Sequence, residues 1–176
     1  PELARLIGYI VAEGYVEQRD DHSGFVSITN DDDAVLDDAR STLRDLNLET
    51  TTRKPHEGKR ARELLCSADE FVSFLSEIDD ALLSGSSEKR VPPTIFGASD
   101  PITAAFVQGV IEGEGHVCSS QREITAASMS EELLNGIRSL LLHHGIASHV
   151  HERHNGSYRL RISGAQFDRY VTDIGF

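Results

Sequence analysis

Two glutamates carry the chemistry this sequence offers. Glu13 closes the run Leu6-Ile7-Gly8-Tyr9-Ile10-Val11-Ala12-Glu13-Gly14. Glu114 closes Val107-Gln108-Gly109-Val110-Ile111-Glu112-Gly113-Glu114-Gly115. The runs lie 101 residues apart and share one pattern, apolar-x-Gly-apolar-Ile-x-small-Glu-Gly. Self-similarity of this kind marks two copies of a structural unit. If both runs are helices, each glutamate sits at a C-terminus, the negative end of the helix dipole. Two carboxylates at adjacent helix ends repel, which is unfavourable without a cation. A hard divalent ion such as Mg²⁺ takes carboxylate and carbonyl oxygens. One Glu-Gly end alone would read as a solvated cap; two, on matching apolar runs, favour a metal site.

The elements that must position these acids follow from the pattern. Leu6, Ile7, Tyr9, Ile10 and Val11 leave the first run apolar on nearly every side, and Phe106, Val107, Val110 and Ile111 do the same for the second. A helix apolar all round is buried. Gly8 and Ala12, like Gly109 and Gly113, stand four apart and make a flat stripe where two helix backbones approach closely. Glycine costs a helix interior about 1 kcal/mol relative to alanine, so its use there points to packing. The two helices are expected to pack on each other about a pseudo-two-fold axis.

The material after each run also repeats. Gly24–Asn30 alternates in the period of a strand, Asp31–Asp33 open a helix to Leu46, strands follow near 49–54 and 62–66, and a helix spans 68–83. In the second half a strand over 122–127, a helix from Ser130 to His144, strands near 147–153 and 157–162 and a helix over 164–174 are expected. Each half thus reads αββαββα, an α+β fold. The boundary falls between residues 1–97 and 98–176, with a Ser-, Gly- and Pro-rich linker from about Ser84 and a helix start at Ser99-Asp100-Pro101.

These paired motifs resemble those of the LAGLIDADG homing endonucleases, most closely the double-motif form found inside inteins. The resemblance covers both motifs, the αββαββα order and Lys89-Arg90-Val91-Pro92-Pro93 before the second motif. It implies two saddle-shaped antiparallel sheets around a central two-helix interface, lying in the DNA major groove. It also implies double-strand cleavage by Mg²⁺-dependent phosphodiester hydrolysis. The family's functional acid maps onto Glu13 and Glu114, glutamate replacing the commoner aspartate, and the preceding carbonyls of Ala12 and Gly113 would complete the metal shells. Lys89 matches the family's Lys-x-apolar-Pro context and would be a catalytic-site lysine; a second, matching lysine would fall past Phe176. Because the chain begins with Pro1 and does not end in His-Asn, it is expected not to splice by itself. Two alternatives stay open: a catalytically inactive DNA- or RNA-binding module of the maturase or regulator kind, and a degenerate intein insert.

Charge seems at first to oppose a nucleic-acid partner. The 29 acidic side chains against 17 basic ones give a net charge of −12, which does not draw DNA by a global field. The basic residues are 14 Arg and only 3 Lys, a balance suited to the salt-rich cytoplasm of a halophile. Locally the picture differs. Arg53, Lys54, Lys59, Arg60 and Arg62 cluster on one inferred strand pair, Arg153, Arg159 and Arg161 on its counterpart, and Arg122 opens another strand. In Tyr158-Arg159-Leu160-Arg161-Ile162 the arginines share one face, and arginine on a two-stranded ribbon can read guanine in the major groove. His143, His144, His149, His151 and His154 lack metal-ligand spacing and read more simply as strand or solvated histidines. With no long apolar run, no signal peptide and only Cys66 and Cys118, a monomeric internal pseudo-dimer in a reducing cytoplasm is expected.

Overall fold

The computed structural model describes residues 1–20, 23–54 and 60–176. The first half runs α1 (Glu2–Glu13), β1 (Gly14–Gln18), β2 (Gly24–Asn30), α2 (Asp33–Asp45), β3 (Thr51–Arg53), β4 (Arg62–Ser67) and α3 (Asp69–Ile78). A short helical turn, α4 (Pro93–Phe96), leads to α5 (Asp100–Glu114). The second half then repeats the order with β5 (Gly115–Cys118), β6 (Glu123–Ser128), α6 (Glu131–His143), β7 (His149–Glu152), β8 (Tyr158–Ser163) and α7 (Ala165–Asp173). Each half holds one four-stranded antiparallel sheet, in the orders β1-β2-β4-β3 and β5-β6-β8-β7. This is the α+β architecture expected, with seven helices and two sheets among the described residues.

Burial follows the period of each element. On β2, Val26 and Ile28 turn inward, as do Leu64 and Cys66 on β4, Ile124 and Ala126 on β6, and Leu160 and Ile162 on β8. Opposite them lie Leu36 and Leu43 of α2 and Leu134, Ile137 and Leu141 of α6. The second helix of each half starts on the same kind of cap. The Asp32 carboxylate accepts from the Ala34 N–H at 2.8 Å, and the Ser130 hydroxyl oxygen from the Leu133 N–H at 3.1 Å. These caps anchor a correspondence used below: Asp32 with Ser130, as Glu13 with Glu114.

Two expectations are adjusted. The helix drawn over 68–83 ends at Ile78, because the Asp79 side chain turns back to accept from the Ala81 N–H and starts a separate 3-10 turn over Asp80–Leu83. The linker is also more structured than its composition suggests. Val91 and Ile95 are buried in the common core, and Val91 lies against the face of α6 at Gly136.

Candidate active site

The site begins with the helix pair. Alpha-carbon hydrogens on α1 meet backbone on α5: a methyl group on Gly8 would stand 2.5 Å from the Phe106 carbonyl oxygen and 2.9 Å from the Val110 nitrogen. One on Gly109 would run into the Arg5 carbonyl, and one on Gly113 would lie 2.8 Å from the Ala12 β-carbon. All four small residues named from the sequence therefore sit at the contact. Gly14 and Gly115 do a different job. The chain leaves each helix directly into an extended strand, and a β-carbon at Gly14 would meet the Ile10 carbonyl oxygen at 2.5 Å. That crowding explains why glycine follows the glutamate in both copies.

This packing sets the C-terminal ends of α1 and α5 side by side, on one cleft of about 490 Å³ whose walls include Ala12, Glu13, Glu114, Lys89, Ser128 and Met129. Burial, with the charge of Asp31 added, pushes the Glu13 carboxyl up to about 7. Burial, with the charge of Glu13 added, does the same for Glu114. Glu13 is the more open residue and Glu114 is half-buried, so solvent screens Glu13 more and the effect is firmer at Glu114. Each acid is shifted toward its protonated form because, among the described residues, no positive charge faces it closely enough to offset burial. Two such carboxylates with backbone carbonyls around them fit a hard divalent cation, for which Glu13, Glu114 and the Ala12 and Gly113 carbonyls are the oxygen donors at hand.

Lys89 enters the same cleft, 5% exposed, and its Nζ donates to the Leu82 carbonyl oxygen at 2.6 Å. Its backbone is clamped as well: the Ser130 hydroxyl that caps α6 donates to the Lys89 carbonyl at 2.6 Å. Next door the Arg90 guanidinium grips the buried Asp79 carboxylate with two hydrogen bonds, at 2.5 and 2.9 Å. A buried ammonium is costly, and burial pulls its pKa down to about 8. A lysine held at this cost in a cleft, beside two carboxyls, marks a candidate functional residue.

That cost gives a measurable consequence. Lys89 binds its proton less tightly folded than unfolded, so below pH 8 the folded state alone bears the buried charge. Above about pH 10.5 both states are neutral and the penalty is gone. Lys89→Met is therefore expected to raise stability near pH 7 by about 1–3 kcal/mol relative to the parent. The parent should close the gap as pH rises from 8 to 10.5, in urea melts at stepped pH. A gap that does not change with pH would show that Lys89 is not buried as a cation.

Asn30, at the end of β2, is a site residue the sequence reading missed. Its amide donates to the Gly113 carbonyl oxygen at 3.2 Å, reaching across from the other half, while its carbonyl oxygen accepts from the Asp32 N–H at 2.8 Å. Ser128, which accepts from the Ser130 N–H, stands at the matching place in the second half. The shells around the two acids are thus unlike. A second cleft, of about 530 Å³, lies between α1, α2 and α5 and holds neither terminal glutamate. Its wall is a polar network: Arg5 bonds Asp38 at 2.6 and 2.7 Å, and the Tyr9 hydroxyl donates to Glu112 at 2.6 Å.

The expected DNA-contacting residues divide by face. Arg159 and Arg161 project from β8 away from the helices, as does Arg53 from β3. Arg161 bonds Glu123 at 2.5 Å and Arg53 bonds Glu63 at 2.5 Å. Lys54, Arg60 and Arg153 are exposed beside the β3–β4 and β7–β8 connections, and Lys59 lies outside the described residues. Arg62 and Arg122 do not join the open face. Arg62 shares the parity of Leu64 and Cys66, which turns it to the helix side, where it pairs with Asp33 of α2. Arg122 precedes β6 with a left-handed backbone and pairs with Asp168 of α7.

Comparison with known proteins matches residues 1–79 and 101–175 to the LAGLIDADG-like domain. A DNA polymerase of Thermococcus sp. (strain GE8) is 32% identical over 92% of this chain, and a DNA gyrase of Mycobacterium leprae is 29% identical over 98% of it. The chain spans only 9% and 14% of those two relatives' own lengths. Among solved structures, the homing endonuclease I-DmoI in complex with DNA and Mn superimposes with a TM-score of 0.73 at 18% identity, covering 99% of this chain and 96% of that one. With both halves matched, the chain belongs to the LAGLIDADG-like domain family.

Proposed function

We propose that this chain is a site-specific DNA endonuclease domain that makes double-strand breaks by Mg²⁺-dependent phosphodiester hydrolysis. The observation that carries the reading is the pair of proton-hungry glutamates at adjoining helix ends, with a buried lysine in the same cleft. Among the described residues neither acid has a hydrogen-bond or ion-pair partner, and a cation would supply one. When bound, a divalent ion acidifies a water molecule and neutralises charge on the phosphate and the leaving oxygen. Glu13 and Glu114 would hold it with the Ala12 and Gly113 carbonyls. Asn30 fixes the direction of the Gly113 carbonyl. Lys89, clamped at its carbonyl by Ser130, offers Nζ–H to a phosphate oxygen or to the attacking water. The halves 1–97 and 98–176 would each present one sheet to half of a long target, so one chain suffices as an internal pseudo-dimer.

The relatives support a second part of the proposal, that the domain is an intein-type insert in a longer host protein. A DNA polymerase and a DNA gyrase share with this chain only 9% and 14% of their lengths, as expected of one element carried into different hosts. Among the described residues no helix is long and apolar enough to cross a membrane. A cytoplasmic location belongs to the same proposal, because that is where the DNA target lies. The acidic, lysine-poor composition supports a salt-rich cytoplasm, where the Debye length shortens to about 3 Å in molar salt and a −12 charge repels DNA little.

The test is cleavage of the host gene lacking the insert, in high KCl with Mg²⁺, beside a control nuclease active under the same conditions. One double-strand break, dependent on Mg²⁺, is the expected result. An uncut target overturns the reading; footprint protection without any nicking would instead assign the inactive binding module.

A further inference from the structure

The registers of the two sheets place corresponding residues in corresponding rows, and the rows differ in chemistry. On the open face of the first sheet Tyr15, Ser27, Leu65 and Thr51 lie side by side across β1, β2, β4 and β3. In the second sheet the matching row is His116, Thr125, Arg161 and His149. The next row is Thr29, Glu63 and Arg53 in the first sheet, and Ala127, Arg159 and His151 in the second. Where the second sheet carries Arg161, the first carries Leu65; where the second carries Arg159, the first carries Glu63.

Charge and hydrogen bonding sharpen the contrast. On the first face Glu17 pairs with Arg19 at 2.8 Å and Arg53 is committed to Glu63, itself only 8% exposed. The surface beside them mixes hydroxyls with apolar groups: Thr51 is exposed in the row of half-buried Leu65, and Tyr15 and Phe25 sit with ring centroids 5.8 Å apart. On the second face Arg161 is likewise bonded to Glu123, at 2.5 Å, and among the described residues Glu123 is the one acid set beside the two arginines of β8. Arg159 has no hydrogen-bond or ion-pair partner among the described residues, so its five donors are available without breaking a contact.

We infer that the two halves read unlike half-sites: the second sheet reads guanines through Arg159 and Arg161, and the first reads an A·T-rich half-site through apolar contacts of Leu65 and Phe25 with thymine methyl groups. This rests on the DNA-binding reading above and adds base chemistry to it. The physical basis is the major-groove code. Guanine presents two acceptors that a guanidinium meets bidentately, whereas thymine presents a methyl group that rewards an apolar side chain. Leu65 or Phe25 set against a guanine would leave its acceptors desolvated and unpaired, which selects against G·C at those positions of the first half.

The experiment is selection of bound duplexes from a randomised library by the intact chain, repeated with Arg159→Ala, Arg161→Ala and Leu65→Arg. Thermal melts equal to the parent's confirm that each variant is folded. The parent should recover an asymmetric site with guanines in one half and A·T pairs in the other. Each arginine variant should lower the preference for guanine at one or two positions by about ten-fold or more, leaving the A·T half unchanged. Leu65→Arg should introduce a guanine preference in the A·T half. Guanine recovered equally in both halves would overturn the inference. So would arginine variants that weaken binding uniformly without changing sequence preference, the mark of phosphate contacts. Recovery of no sequence at all would remove the DNA reading together with this one, and is thereby distinct from either.

Discussion

Glu13→Gln and Glu114→Gln are each expected to lower DNA cleavage by about 10³-fold or more, the scale on which removal of one electrostatic stabiliser acts. Target binding should stay within a few-fold of the parent. The substitution keeps size and hydrogen bonding at each helix end but removes the charge that a divalent ion needs. Because the shells differ, Asn30 bonding only the Gly113 carbonyl, the two variants need not fail in the same way. Nicked circles from a supercoiled plasmid would show one strand cut alone, whereas intact circles would show that both cuts need both acids. A variant that cleaves at the parent's rate would sink the assignment.

The same pair predicts an opposite effect on stability. Both carboxyls bind protons more tightly folded than unfolded, near 7 against an ordinary 4.5. Their contribution is fully present below pH 4.5 and is lost as pH rises through about 7. Without a divalent ion, the parent should therefore melt lower at pH 8 than at pH 5.5. At pH 8 either glutamine variant should be the more stable, by about 1–3 kcal/mol once solvent screening is allowed for. Added Mg²⁺ should close the gap by stabilising the parent alone, since only the folded parent presents both acids together. Scanning melts with and without EDTA would read this directly.

Much of this architecture was legible because it repeats and because its signals are local. The glycine stripes, the all-round apolar helices and the Glu-Gly ends each reflect a close contact or a tight exit within a few residues, and the structure puts all of them at the α1–α5 contact or at its cleft end. The period-two alternation of β8 correctly separated Arg159 and Arg161 from Leu160 and Ile162. Arg62 carries the same kind of signal, since Leu64 and Cys66 share its parity, and that alternation sets it apart from the basic cluster around it. What stayed hidden depends on partners far along the chain. Asp79 ends α3 in the embrace of Arg90, Ser130 clamps Lys89, and Asn30 reaches Gly113 of the other half. None of these pairings has a fixed sequence spacing. The overall charge is a poor guide for a related reason: on the DNA-binding proposal the partner would meet the open face of each sheet, and among the described strand residues those faces carry Glu17, Glu63 and Glu123.

Gly109→Ala should be among the most damaging single substitutions in the chain. In an exposed helix the same change would stabilise by up to about 1 kcal/mol, because alanine is the better helix former. Here the new methyl group would be driven into the Arg5 carbonyl oxygen, which is backbone of α1 and has no rotamer in which to move aside. The two helices must separate, loosening a close-packed seam that includes Leu6, Ile10, Phe106 and Val110. A loss of about 3–5 kcal/mol is expected in urea melts, at the upper end for single substitutions. Gly97→Ala is the control: nothing lies within 4 Å of its added methyl, and its backbone φ of −95° suits any residue, so its melt should match the parent's. The consequence extends to the chemistry, because the seam that fails also sets the distance between Glu13 and Glu114. At a temperature where Gly109→Ala is still folded, its cleavage should fall more than its folded fraction does. A Gly109→Ala protein as stable as the parent would mean that the helix pair does not pack backbone to backbone, and the proposed placement of the two acids would fail with it.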